Sequence, residues 1–167
     1  FWAVDSKVDY GKRRSVEKMG GDIAVIASGG GASLINMDAL MLAGGKPANY
    51  AEYSGNPPAE VVTKLTQEVL SQPGIKACWV VGGTASFTDI YETMRGFLEG
   101  LKQVRPRPNF PFVIRRGGPR QEEAKKLLRE FAQKEGYEFH IYGSETPMVA
   151  TAQTVVDLAY RYKKKKL

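Results

Sequence analysis

The chain holds one cysteine and one histidine in 167 residues. A lone cysteine cannot build a disulfide framework, and one residue of each kind cannot build a Cys/His metal cluster. Cys78 sits inside the apolar run Ala77-Cys78-Trp79-Val80, where a strand cysteine serves as a small hydrophobe and not as a reactive thiol. No metal site is expected, and the cysteine usage points to the cytoplasm. No apolar run approaches the length of a membrane span and no signal-peptide pattern opens the sequence, so no membrane association is expected. There is no internal repeat, and the only low-complexity segment is a lysine run at the end. A methionine is missing at the start: the chain opens on Phe1, which reads as a fragment or trimmed chain whose active site is completed by other sequence.

What is present is ordinary for a globular protein, with 43% hydrophobic and 25% charged residues and room for one sizeable core. The net charge of +6 gathers at the ends, in Lys12-Arg13-Arg14 and Lys163 to Lys166. Basic residues are not interleaved with aromatics as base-stacking platforms require, so these runs read as solvated ends and no nucleic-acid partner is expected. Residues 1–21 read as a lead-in arm, 22–162 as one domain and 163–167 as a basic tail.

Apolar runs alternate with amphipathic ones through that domain. Strands are predicted over Asp22 to Ala27, Ala48 to Tyr53, Lys76 to Val81, Phe110 to Ile114 and Glu138 to Tyr142. Helices are predicted over Leu34 to Leu42, after Pro58 with Val61, Val62, Leu65 and Val69 inward, Ile90 to Lys102, Gln121 to Lys134, and after Pro147. The pattern predicts an α/β, flavodoxin-like (Rossmann-like) three-layer fold: a five-stranded parallel sheet of order 2-1-3-4-5 with helices on both faces. Ligands of such sheets bind beyond the carboxyl ends of the strands, at the switch between strands one and three.

The stretch Val80-Val81-Gly82-Gly83-Thr84-Ala85-Ser86-Phe87-Thr88-Asp89 borders that switch. A strand, a glycine turn and a helix starting at Thr88 or Asp89 would aim backbone N–H groups at an anion. Ser28 to Ser33, Ser54 to Asn56 and Gly143 to Thr146 supply three more glycine- or hydroxyl-rich loops, and Arg115 and Arg116 end strand four on the same edge. A guanidinium beside backbone donors fits a carboxylate, and Thr84, Ser86 and Thr88 could bond others. Two readings stay open on these residues: a pocket for a small polycarboxylate, or tight turns with arginines paired to nearby acids. Asp89 reads as a helix cap, Asp38 as a surface residue, and Trp79 and Phe112 as core. Glu52 and Glu145 are loop acids that could serve as acid or base, and His140 reads as a core or edge histidine.

Five of these stretches, in order, resemble one family. Gly29-Gly30-Gly31-Ala32-Ser33, then Gly44-Gly45-Lys46-Pro47-Ala48-Asn49-Tyr50 with Glu52-Tyr53-Ser54-Gly55, then Gly82-Gly83 to Phe87-Thr88, Arg115-Arg116-Gly117-Gly118-Pro119, and Gly143-Ser144-Glu145-Thr146 are similar to the CoA-ligase domain shared by succinyl-CoA synthetase and ATP-citrate lyase. Asn49 to Gly55, Phe87-Thr88 and the Arg-Arg-Gly-Gly-Pro element resemble the citrate branch more than the succinate branch. The resemblance implies a domain that binds citrate through Gly55, Ser86, Phe87, Thr88 and Arg116, beside Gly82, Gly83 and Thr84 of the glycine loop. Ser86 stands where the family usually has Asn, and the loop after Gly83 is one residue shorter, departures that bear on which acid is bound.

That family joins a carboxylate to coenzyme A using ATP or GTP with Mg, through a phosphorylated histidine. The resemblance places the histidine, the ATP-grasp lobe and the CoA-binding segment on partner domains or subunits of a hetero-oligomer. This domain itself then carries no catalytic residue and no cofactor, is inactive alone, and offers a helix N-terminus to the visiting phosphoryl group. The alternatives are the succinate-binding domain that ends the β chain of succinyl-CoA synthetase, and a non-catalytic assembly module. A flavin binder is disfavoured, since no aromatic pair flanks the loop after strand one.

Overall fold

A computed structural model of the chain describes residues 3–4 and 17–161. In chain order the elements are β1 (Ala3–Val4), β2 (Glu17–Lys18), β3 (Ile23–Ser28), α1 (Gly30–Leu42), β4 (Asn49–Tyr50), β5 (Glu52–Tyr53), α2 (Ala59–Leu70), β6 (Ala77–Thr84), α3 (Ile90–Gln103), β7 (Phe112–Gly117), α4 (Gln121–Glu135), β8 (Phe139–Tyr142) and α5 (Ala150–Ala159). One sheet runs β1-β5-β3-β6-β7-β8, every neighbouring pair parallel. Its last five members are the predicted strands in the predicted 2-1-3-4-5 order. The sheet has six strands and not five, because Ala3–Val4 of the arm pairs with β5 at the edge. The two arginine- and lysine-rich end segments lie outside the described residues.

The strands are apolar on both sides because both faces are covered. Ala24, Ile26, Cys78, Val80, Phe112 and Ile114 face a layer of α2, α3 and α4, represented by Val62, Leu65, Met94, Phe97, Ala124 and Leu128. Ile23, Val25, Ala27, Trp79, Val81 and Val113 face α1 and α5, represented by Met37, Leu40, Ala152, Val155 and Val156. Trp79 is fully buried and donates its indole N–H to Thr151 Oγ1 at 2.9 Å, and burial pushes the Cys78 thiol up from its ordinary pKa. Among the described residues no helix is long and apolar enough to cross a membrane.

Several predicted boundaries move, the first two for a local reason. The expected strand Ala48 to Tyr53 divides in two: Asn49–Tyr50 pairs antiparallel with β2, while Glu52–Tyr53 joins the main sheet. The Asn49 side chain makes the division, accepting from Val25 N–H at 3.1 Å and donating to Val25 C=O at 2.8 Å in place of a backbone ladder. Helix α1 begins at Gly30, inside the expected turn, because Gly29 alone makes the bend with φ +88°. Ser33 then bonds Gly29 C=O through both its N–H and its hydroxyl.

Most consequential for function, β6 runs through Gly82 and Gly83 to Thr84, and β7 runs through Arg115 and Arg116 to Gly117. The two glycines are strand residues with a register shift before Thr84, not a turn delivering the chain to a helix. The arginines therefore alternate across the sheet instead of sharing one loop.

Candidate functional site

Residues near the carboxyl ends of four strands form a row on the face covered by α2, α3 and α4. Tyr53 pairs in register with Ser28, and Ser28 with Gly82. Arg116 of β7 lies over Gly82: a Cβ added there would fall 1.9 Å from Arg116 Nη1 and 2.8 Å from Ser28 Cβ. Two small residues side by side leave a trough in the sheet surface, and the arginine lies along it. Its guanidinium carbon comes within 5.6 Å of the Tyr53 ring centre, over the aromatic face.

Arg116 is only 3% exposed, and its Nε, Nη1 and Nη2 are each buried without a hydrogen-bond partner among the described residues. A guanidinium carries five N–H donors and cannot shed its charge. Burying one unpaired is among the most costly arrangements a fold can hold, unless an anion completes it. The planar fork suits a carboxylate held by two parallel bonds.

Arg115, one residue earlier, faces the opposite side and is fully engaged. Its Nε donates to Thr146 C=O at 2.8 Å and its Nη1 to Gly82 C=O at 2.9 Å, with Nη2 3.3 Å from Thr84 Oγ1. Burial and the charge of Arg116 together push its pKa below the ordinary arginine value. Arg115 thus straps the loop after β8 to the end of β6. Of two adjacent arginines, one is structural and one is left available.

The residues singled out in the sequence separate accordingly. Gly82 and Arg116 share the trough. Thr88 is 6% exposed and donates its hydroxyl to Gly55 C=O at 2.5 Å, tying the loop after β5 to the start of α3. Asn56 reinforces the tie by accepting from Asp89 N–H at 3.0 Å. Ser86 and Phe87 lie exposed in the connecting loop, Phe87 at 68%. Gly83 faces Ala32, 4.0 Å from where its Cβ would stand, and Thr84 is occupied by Arg115, so these two belong to the other side of the sheet.

Helix α3 does not offer free first-turn donors. Asp89 caps it, accepting from Glu92 N–H at 3.1 Å, and Ile90 N–H goes to Pro119 C=O. Arg120 Nη1 sits 3.0 Å from Asp89 Oδ2. Burial raises the Asp89 pKa, but the Glu92 N–H and the Arg120 guanidinium outweigh it and hold the carboxyl below its ordinary value. The expected anion point at this helix start is already satisfied by Asp89, and the unmet demand for negative charge sits one strand away, at Arg116.

The acids named as alternatives are accounted for. Glu52 is buried with its Oε2 2.8 Å from Ser33 Oγ, whose one hydroxyl proton is shared between this carboxylate and Gly29 C=O. Glu145 accepts from its own loop, Gly143 N–H at 2.8 Å, and from Lys125 Nζ at 3.1 Å. Its own backbone N–H, that of Gly143 and then Lys125 hold its pKa at about 2. His140 lies on the edge strand β8, 3.0 Å from Glu138 Oε1. Asp38 is exposed and Phe112 fully buried. The sequence shows Ser28 only as the start of a glycine-rich loop and gives the Tyr53 hydroxyl no role; the signal available was their position as the last residues of adjacent strands.

The family described as ATP citrate lyase citrate-binding matches residues 2–159. The chain is 35% identical over 126 residues to succinate–CoA ligase [ADP-forming] subunit beta 2 of Archaeoglobus fulgidus, covering 74% of this chain and 31% of that protein. It is 28% identical over 158 residues to ATP-citrate synthase of Homo sapiens, covering 88% and 14%. The fold matches the ATP citrate lyase of Methanothrix soehngenii, solved with citrate and coenzyme A, with a TM-score of 0.75 at 30% identity over 88% of this chain and 38% of that one. The chain therefore spans well under half the length of each of these relatives.

Proposed function

Because the chain belongs to the ATP citrate lyase citrate-binding family, we propose that it is the acid-substrate-binding domain of a nucleotide-dependent acyl-CoA synthetase or ATP-citrate lyase, holding citrate or a similar di- or tricarboxylate on Arg116. The observation that carries this is the buried guanidinium with three unpaired nitrogens. One substrate carboxylate completes it, and the neutralised charge lets a second anionic group approach. Gly82 makes the room, Thr88 and Gly55 hold the adjoining loops together, and Ser86 and Phe87 close over the ligand from the rim. Gly83 and Thr84 support the end of β6 from behind.

In this proposal the nucleotide, coenzyme A and the phosphorylated histidine belong to ATP-grasp and CoA-binding parts outside this chain, on the same polypeptide or on partner subunits, and the domain alone does not turn over. The start of α3, which the resemblance assigned to the visiting phosphoryl group, is filled by the Asp89 carboxylate, so in this proposal the positive charge at this edge comes from Arg116. The α3 first-turn N–H groups contribute little, being already bonded. Succinate is the second reading, favoured by the 35% identity to the succinate–CoA ligase of Archaeoglobus fulgidus.

The test is thermal unfolding of the chain with citrate, succinate or malate, repeated with Arg116→Gln. A ligand at about 100 times its dissociation constant adds about 2.7 kcal/mol to native-state stability, a readable rise in melting temperature. Stabilisation by citrate that is lost in the variant supports the proposal; stabilisation by succinate in its place moves the reading to the succinate branch. No shift with any of the three at tens of millimolar refutes carboxylate binding by this domain.

A further inference from the structure

Tyr53 ends β5 with its ring in the apolar layer beneath α2 and α3. The ring is accounted for by packing, in which a phenylalanine would serve equally. The hydroxyl is not: it is buried in a residue 1% exposed, and it has no hydrogen-bond partner among the described residues. Native folds rarely bury a hydroxyl unpaired, since doing so forfeits its hydration without return. The Arg116 guanidinium lies over the same ring and is equally unpaired. Between them stand only Ser28 and Gly82, the smallest residues of the row. Two orphaned donors thus belong to side chains that lie one over the other in one trough.

Resting on the carboxylate-binding reading above, we infer that the Tyr53 hydroxyl donates to the same carboxylate that Arg116 holds. Tyr53 is then a substrate-binding residue in its own right. A guanidinium fork occupies one edge of a carboxylate and leaves lone pairs on the other side of its oxygens. A phenol placed beside the fork fills one of them. Because the donor is fixed by the packed ring, it needs no side-chain ordering when the ligand arrives. The same arrangement sets the depth of binding, with one carboxylate at the floor of the trough and the rest of the acid toward Ser86 and Phe87.

Tyr53→Phe removes the hydroxyl and nothing else. Titration calorimetry with citrate and with tricarballylate (citrate lacking its hydroxyl) reads the effect, and urea unfolding without ligand reads the fold. The expected result is an affinity about tenfold weaker for both acids, with unliganded stability equal to or above that of the parent because an unpaired buried hydroxyl is gone. An affinity within twofold of the parent overturns the inference. So does a loss confined to citrate, which assigns the phenol to the ligand hydroxyl and not to a carboxylate. Failure of the parent chain to bind either acid refutes the carboxylate reading itself, and that outcome is separate from the behaviour of the variant.

Discussion

Gly82→Ala tests the trough without replacing any charged residue. An alanine Cβ at this position falls 1.9 Å from Arg116 Nη1 and 2.8 Å from Ser28 Cβ, both inside contact distance. Ser28 is fixed by its strand, so the arginine, a flexible chain, must leave. The fold itself loses little. Overpacking of a core site costs about 1–3 kcal/mol, and replacing a strand glycine by alanine returns about 0.5–1 kcal/mol. Binding loses much more, since a hydrogen bond to a charged group contributes about 1.5–3 kcal/mol. Removing the arginine's pair of them therefore weakens citrate about 100-fold or more, at about 1.4 kcal/mol per tenfold. Gly83→Ala is the matched control: its Cβ would meet only Ala32 Cβ, at 4.0 Å, and it points to the other face. Calorimetric titration of citrate into both variants, with urea unfolding alongside, measures the two effects. A Gly82→Ala chain that is folded and binds citrate within threefold of the parent would refute the trough as the site, as would equal losses in the two variants.

Two further outcomes follow from the loops around the site. Thr88→Val deletes the bond to Gly55 C=O at a buried position. It should lower unfolding free energy by about 1–2 kcal/mol, read as a lower urea midpoint, and weaken citrate because the loops after β5 and β6 part; an unchanged midpoint contradicts the tie. Glu145 has a folded pKa of about 2, depressed from 4.5 by the N–H groups of its loop and by Lys125. A depressed carboxyl contributes stability that is complete above the unfolded value and disappears as pH falls from about 4.5 toward 2. Urea unfolding from pH 7 to 3 should therefore show the parent more stable than Glu145→Gln at neutral pH, with the gap narrowing below 4.5; a gap constant with pH refutes this assignment.

Much of the architecture is legible in the order of residues alone. Apolar runs of strand length alternating with amphipathic runs of period 3.6 dictate a parallel sheet between helix layers, since only that arrangement buries strands apolar on both sides. The order 2-1-3-4-5 and the identity of the carboxyl edge follow from it. Motif order along the chain carries the family resemblance, which the match over residues 2–159 bears out. Strand ends are less legible. Gly82-Gly83 reads as a turn because glycine usually punctuates, yet here glycine keeps its place in the ladder so that an arginine from the next strand can lie over it. Asn49 reads as part of one long strand, and its side chain instead replaces a ladder and splits that strand in two.

What the sequence determined by itself is therefore the layer order, the core faces and the set of loops gathered at one edge, all consequences of local periodicity. What only the tertiary structure decided is which of those residues are free to act. Arg115 and Arg116 are chemically identical and adjacent. A strand's two-residue period sends one to waiting carbonyls and the other into a trough with none. Asp89 and the start of α3 look open to an anion until Arg120 and Pro119 are brought beside them from the following loop. Pairing depends on what arrives from distant sequence, and the unpaired charge on Arg116 is a property of the folded neighbourhood that no single stretch of the chain contains.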